Sequence, residues 1–148
     1  MERAHLRTEG WAFKLLHNSR IGHLATSTKV GKPHTVPVCY AFDGHTIYVP
    51  IDEKPKRVGP ERLRRVRNIT ENPRGCLVVD VYSEDWRKLR YVIVRASASI
   101  IHGGSEHKRA VALLRRKYRQ YRTMSIEARP IIRLKPVKVI SWRSGFEM

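Results

Sequence analysis

The chain has 148 residues, enough for one domain with its own core. No apolar run approaches the roughly 20 residues of a membrane span, and the N-terminal MERAHLRTEGW lacks the apolar segment of a signal peptide, so a cytoplasmic location is expected. A net charge of +17 admits nucleic acid, an acidic ligand or a heat-adapted surface, but its 30 basic residues are spread over most segments and define no single patch.

In chain order, Thr8 or Glu9 opens a short helix to about Asn18, with Thr8 as a candidate N-cap and Trp11, Leu15 and Leu16 as its apolar stripe. Residues 20–28 (RIGHLATST) read as a first strand, and the turn at 29–32 carries Gly31 where a hairpin needs positive φ. Residues 33–42 (PHTVPVCYAF) form a second strand with His34, Val36, Val38, Tyr40 and Phe42 on one face. Pro37 marks it as an edge or a bulge, because proline cannot donate to a ladder. Asp43-Gly44 is a hairpin signal leading into a third strand, 45–50.

The stretch from Ile47 to Pro73 is the most suggestive. A strand breaks at Pro50, passes through a loop carrying Lys54, Lys56 and Arg57, and restarts as a helix at Pro60 or Glu61. Between Lys54 and Arg67 stand seven Lys or Arg against one acid, Glu61. A strand, a basic loop and a helix N-terminus together can converge on a phosphate. A solvated basic loop is the competing reading.

The helix runs to about Asn72, with Leu63, Val66 and Ile69 buried and Arg62, Arg64, Arg65 and Arg67 on its other faces; Asn72-Pro73 stops it. A largely apolar fourth strand, 74–82, is expected to be central. A polar connection (SEDWRK, 83–88) carries Trp86 into a long fifth strand, 89–101, whose small residues at 96–99 suggest close backbone packing. Ser105 caps a helix to about Tyr121 that buries Ala110, Val111, Leu113, Leu114 and Tyr118. Its cations, Lys108, Arg109, Arg115, Arg116, Lys117 and Arg119, read as a solvated face. Residues 131–142 alternate and make a sixth strand. The expected fold is mainly β with flanking helices, a six-stranded antiparallel split β-barrel in a single domain spanning 1–148.

Cys39 and Cys76 have no CxxC partner and read as small strand residues in a reducing compartment. No nucleophile–base motif, paired carboxylates at helical spacing or metal signature is present, so no catalytic residue and no metal ligand is assigned. His23 and His34 read as strand-face residues, Asp80, Glu84 and Asp85 as partners for arginine, and Trp86 as a core or interface anchor.

In this order, the segments 20–42, 47–57 (IYVPIDEKPKR), 62–94 and 137–142 (VKVISW) resemble the flavin-binding split-barrel proteins related to pyridoxamine 5'-phosphate oxidase. The resemblance is greatest to the branch of deazaflavin (coenzyme F-420)-dependent enzymes, and the SEDW at 83–86 points the same way. It implies a homodimer with two cofactor sites at the subunit interface. Pro37, Val38 and Cys39 would lie beside the ring system and Tyr48, Pro50, Ile51 and Asp52 would run along it. Lys54, Lys56 and Arg57 would hold the phosphate, with Arg62 beginning a basic track beyond them. Trp86 and Trp142 would reach over from the partner subunit. Where the family commonly supplies a Thr or Ser hydroxyl, this chain has Pro50-Ile51.

The expected activity is hydride transfer between F-420 and a small organic substrate. The alternatives are an FMN-dependent oxidoreductase and a binder of FMN, haem or a similar tetrapyrrole. Nucleic acid is the remote alternative, since no recognition helix or aromatic-lined sheet face is legible. No membrane partner is expected.

Overall fold

In a computed structural model that describes residues 8–52 and 59–145, the second predicted strand is two strands. They are β2 (Pro33–Val38) and β3 (Ala41–Phe42), with only Cys39 and Tyr40 between them. The others are β1 (Gly22–Ser27), β4 (Ile47–Pro50), β5 (Arg74–Val81), β6 (Arg90–Ile101) and β7 (Ile131–Arg143). All seven join one antiparallel sheet in the order β2-β1-β5-β6-β7-β4-β3. β2 and β3 are therefore the two outer edges of the sheet, yet three peptide steps connect Val38 to Ala41. Three steps span at most about 11 Å. The sheet has to curl until its edges meet, and the result is the split barrel, with seven strands in place of six.

The break has a local cause. The Tyr40 amide donates to the Tyr118 hydroxyl at 3.1 Å instead of to a neighbouring strand. Tyr40 is fully buried, and its own hydroxyl donates to the Leu16 carbonyl. Pro37 does lie on an edge strand, where a missing N–H leaves no ladder bond unmade. The β3–β4 turn uses Asp43 as the sequence suggests: its carboxylate accepts from the amides of His45 and Thr46 at 2.8 and 2.7 Å, and Gly44 sits at φ 98°.

Inside the barrel Leu24, Leu77, Val79, Val92, Val94, Ala96, Ala98, Ile132 and Leu134 form the main core, to which α1 (Gly10–Asn18) adds Ala12 and Leu16, and α2 (Arg64–Glu71) adds Val66 and Ile69. The predicted helix from Pro60 is a 3-10 turn over Pro60–Arg62 followed by α2. Arg65 belongs to the buried side of α2, not to its solvated faces. The fully buried Asn68 beside it donates to the Thr26 hydroxyl at 3.0 Å.

A second core lies outside the barrel. There α3 (Ser105–Lys117) and the 3-10 turns that follow pack Ala110, Val111, Leu114, Tyr118, Tyr121 and Ile126 against Ala41, Tyr48 and Ile131. Two helix starts differ from expectation. Glu9, not Thr8, precedes α1, and Gly104 precedes α3; neither makes a side-chain cap. Gly104 has φ 94°, which glycine adopts without the Cβ penalty, so Ser105 falls one residue inside the helix. β6 and β7 stay in register except at a bulge, where Arg95 faces Lys138 and Ala96 faces Pro136, leaving Val137 as the extra residue. Among the described residues no helix is long and apolar enough to cross a membrane.

Candidate functional site

The edge strands part just where the sequence places its first candidates. Ala41 pairs with Tyr48 and Phe42 with Ile47. Carried further, that register would set Tyr40 against Val49 and Cys39 against Pro50, but the ladder stops at Ala41 and Tyr48. Tyr40 has given its amide to Tyr118, and Pro50 has none to give. A seam opens there, with Pro37, Val38 and Cys39 on one lip and Pro50, Ile51 and Asp52 on the other.

Tyr121 ties the second lip to the outer core. Its hydroxyl donates to Asp52 Oδ2 at 2.5 Å, and Cys39 packs against the outer core to which Tyr121 belongs. Burial, then the Asp52 carboxylate, drives its pKa far above that of a free tyrosine. Tyr118 packs on it, ring centroids 5.2 Å apart, and donates to the Arg20 carbonyl at 2.7 Å with the Tyr40 carbonyl 3.0 Å away. Burial pushes Tyr118 up to about 12. Arg129 donates to the Ile51 carbonyl at 3.2 Å and so fixes the last residues before the basic loop.

Lys117 is held in the same knot. Its ammonium donates to the Ser19 and Tyr40 carbonyls at 2.5 and 3.0 Å and lies 4.0 Å from the centre of the Tyr40 ring. Burial first and Arg20 second lower its pKa to about 8. Neither Lys117 nor Arg115, which donates to the Tyr121 and Met124 carbonyls at 3.1 and 3.0 Å, belongs to a solvated helix face.

Tyr48 is placed differently from the residues beyond it. It is 3% exposed, and its hydroxyl donates to Glu106 at 2.8 Å, while Glu106 pairs with Arg133 at 2.7 Å. Its side chain is spent on the outer core; the lip of the seam begins after it. Pro50 and Ile51 are buried, Asp52 is half-buried and Arg62 is exposed. Lys54, Lys56 and Arg57 lie outside the described residues.

The two tryptophans are not brought to the seam of their own chain. Trp86 is 57% exposed on a 3-10 turn, Trp86–Lys88, that Asp85 starts by accepting from the Arg87 amide. Arg87 also forms a two-pronged pair with Asp85, both contacts at 2.8 Å, and this holds the Asp85 carboxyl down at about 2. Trp142 stacks on Tyr91, centroids 5.6 Å apart. Across the outer face, register sets Pro37, His23, Val78, Ile93 and Ile140 side by side, with Tyr91 and Trp142 one row on. Four strand spacings separate β2 from β7, about 19 Å along the sheet. Pro37 and Trp142 of one chain therefore cannot flank one ring system.

Sequence reasoning missed Tyr121, Asp52's partner, and the role of Lys117. Their only trace was the aromatic pair Tyr118 and Tyr121 beyond a basic helix; which strand they meet depends on the fold.

Whether these residues suit a flavin or deazaflavin can be judged from the seam. Its lips are largely apolar and carry a proline each, and Val38, Pro50 and Ile51 are buried in them. Its far lip runs directly into the basic loop, where the sequence puts cations for a phosphate. The apolar character of these lips is compatible with a ring system, while the expected phosphate residues, Lys54, Lys56 and Arg57, lie outside the described residues.

Comparison with known proteins follows the same line. The family model for pyridoxamine 5'-phosphate oxidase matches residues 12–143. Among solved structures, a conserved hypothetical protein from Mycobacterium tuberculosis is 20% identical with a TM-score of 0.74, covering 97% of this chain and 89% of that one. A haem storage protein from Vibrio cholerae is 17% identical with a TM-score of 0.69, covering 95% and 97%. An F420 reductase is 22% identical with a TM-score of 0.65, covering 90% and 98%. The search of curated proteins returned no match. The chain belongs to the pyridoxamine 5'-phosphate oxidase family and has its split-barrel fold.

Proposed function

We propose that this chain is an oxidoreductase that holds coenzyme F-420 in the seam and passes hydride between it and a small organic substrate. The observation that carries the reading is the Tyr121 contact. Its hydroxyl holds Asp52 on one lip, while Cys39 of the other lip packs against the same outer core. The family and the likeness to an F420 reductase favour the same cofactor class. The deazaflavin supplies the hydride chemistry itself. The protein's part is to bind, orient and exclude water: Pro37 to Cys39 and Pro50 to Asp52 line the ring, and Lys54, Lys56 and Arg57 hold the phosphate. Arg62, Arg64 and Arg67 continue a basic track for the glutamate tail; Arg62, Arg64 and Arg67 are all exposed.

The site is completed by a second copy of the chain. Val78, Ile93 and Ile140 form a half-buried apolar row on the outer sheet face, and neither core includes them. Trp142, one row on, is 44% exposed, and Tyr82 and Trp86 beyond the end of β5 are 70% and 57% exposed. A face of this kind is what a homodimer covers, and aromatic residues are enriched in interface cores. In such a dimer Trp86 and Trp142 reach the other subunit's seam, which they cannot do within their own chain.

The test is titration of F-420 and of FMN, followed by fluorescence, at two salt concentrations. F-420 is expected to bind more tightly in low salt. The preference should shrink as salt rises, because contacts to an extended anion at an exposed rim are screened. Equal or tighter FMN binding at low salt replaces the deazaflavin with FMN. Replacing any two of Lys54, Lys56 and Arg57 with Ala should cost tenfold or more in affinity per residue, as expected for charged hydrogen bonds contributing about 1.5–3 kcal/mol each.

A further inference from the structure

Away from the seam's mouth, a cleft of about 270 Å³ opens between the C-terminal ends of α1 and α3 and the start of β3. His17, Arg20, Arg116 and Lys117 line it on the polar side, Phe42 and Leu113 on the apolar side, and no carboxylate does. We propose that this cleft is a second anion site, which takes a compact phosphate monoester with its oxyanion among the four basic side chains and its organic body against Phe42 and Leu113.

Counting donors supports the assignment. Lys117 has three N–H groups and spends two, on the Ser19 and Tyr40 carbonyls. Arg20 has five and spends one, on the Lys117 carbonyl. Arg116 and His17 are exposed and make no hydrogen bond or ion pair with a described residue. The ion pairs of the described residues use Asp85, Glu127 and Glu106, none of them in the cleft. Basic residues at helix C-termini also complement the helix dipole. The Ser19 and Tyr40 carbonyls occupy Lys117 and leave Arg116, His17 and most of the Arg20 fork unused.

Lys117 and Arg20 repel one another at close range, and burial with that repulsion lowers the Lys117 pKa to about 8. A dianion placed between them removes the repulsion. The outer face of β6 and β7 also pairs two cations, Arg95 with Lys138, but on the convex side of the sheet. Only a concave site desolvates an anion enough for specificity. At about 270 Å³ the cleft lies at the small end of ligand sites and suits a compact ligand.

The test uses the full chain without cofactor, titrated calorimetrically with inorganic phosphate and with phenyl phosphate at pH 7 and low salt. One saturable site per chain is expected, with phenyl phosphate the tighter ligand. Arg116→Glu and His17→Glu, both exposed, should each weaken phenyl phosphate tenfold or more. Lys29→Glu in the exposed β1–β2 turn should change it less than twofold. The double variant Lys54→Ala/Lys56→Ala separates this site from the loop: it should keep phenyl phosphate binding while losing the cofactor. The proposal is overturned if no saturable binding occurs or if Lys29→Glu weakens it as much as Arg116→Glu. It is also overturned if binding disappears in the loop variant and survives in Arg116→Glu. The loop variant's cofactor titration reports on the seam alone, so either site can fail without the other.

Discussion

Tyr121 and Asp52, 69 positions apart in sequence, meet through a 2.5 Å hydrogen bond in which the tyrosine hydroxyl donates to the carboxylate. Asp52 is the last described residue before the basic segment that holds Lys54, Lys56 and Arg57 in sequence. Tyr121→Phe removes the donor and leaves a half-buried carboxylate with one partner fewer. A loss of about 1.5–3 kcal/mol in unfolding free energy is expected, the range for hydrogen bonds to charged groups. Urea denaturation measures it, and F-420 titration should show weaker binding with Lys54, Lys56 and Arg57 all intact. An unchanged affinity would separate the loop's position from this bond.

Stability should fall steeply above pH 10. Burial raises the pKa of Tyr40, Tyr48, Tyr118 and Tyr121 above the ordinary 10.0, and Glu106 and Asp52 add to it at Tyr48 and Tyr121. Above pH 10 the unfolded chain loses these protons while the folded one keeps them, so the stability they contribute is lost as pH rises. Lys117 has the opposite sign. Its folded pKa of about 8 lies below the ordinary 10.5, so it favours folding increasingly across that interval. Four tyrosines against one lysine decide the outcome. Urea midpoints at pH 8.5 and 11 should drop, and Tyr48→Phe should make the drop shallower.

Gly22 opens β1 opposite Val38, against the barrel core. A Cβ there would stand 2.8 Å from Leu77 Cδ1 and 3.3 Å from Val79 Cγ1. Leu77 and Val79 are both fully buried and have little room to yield. Gly22→Ala should therefore destabilise by about 1–3 kcal/mol, the usual range for overpacking. Thermal melting checks it, with Gly10→Ala, which meets nothing within 4 Å, as the reference.

Ile93→Glu places a carboxylate in the middle of the outer apolar row, between Val78 and Ile140. Sedimentation in 0.5 M NaCl should give twice the chain mass for the parent protein and a monomer for the variant. The variant should also lose F-420 binding while keeping its far-UV circular dichroism, because each seam then lacks its tryptophans. A parent protein that sediments as a monomer at micromolar concentration would remove the two-subunit site.

The strands, both tight turns and the edge position of β2 were legible in the sequence because their causes are local. Alternation fixes which faces are buried, Asp43-Gly44 satisfies its own turn, and Pro37 cannot serve a central strand. Cys39 and Tyr40 were not legible as a break. The run from Pro33 to Phe42 keeps its alternation throughout, and what interrupts it is the Tyr118 hydroxyl 78 positions away. The same holds for the buried Arg65, and for Lys117, whose charge suggests water and whose position half-buries it against the Tyr40 ring. Composition and spacing determined the run of cations between Lys54 and Arg67. Tertiary structure decided that Tyr121 bonds Asp52 while Cys39 packs on the same outer core, since only the curl of the sheet brings its two edges together.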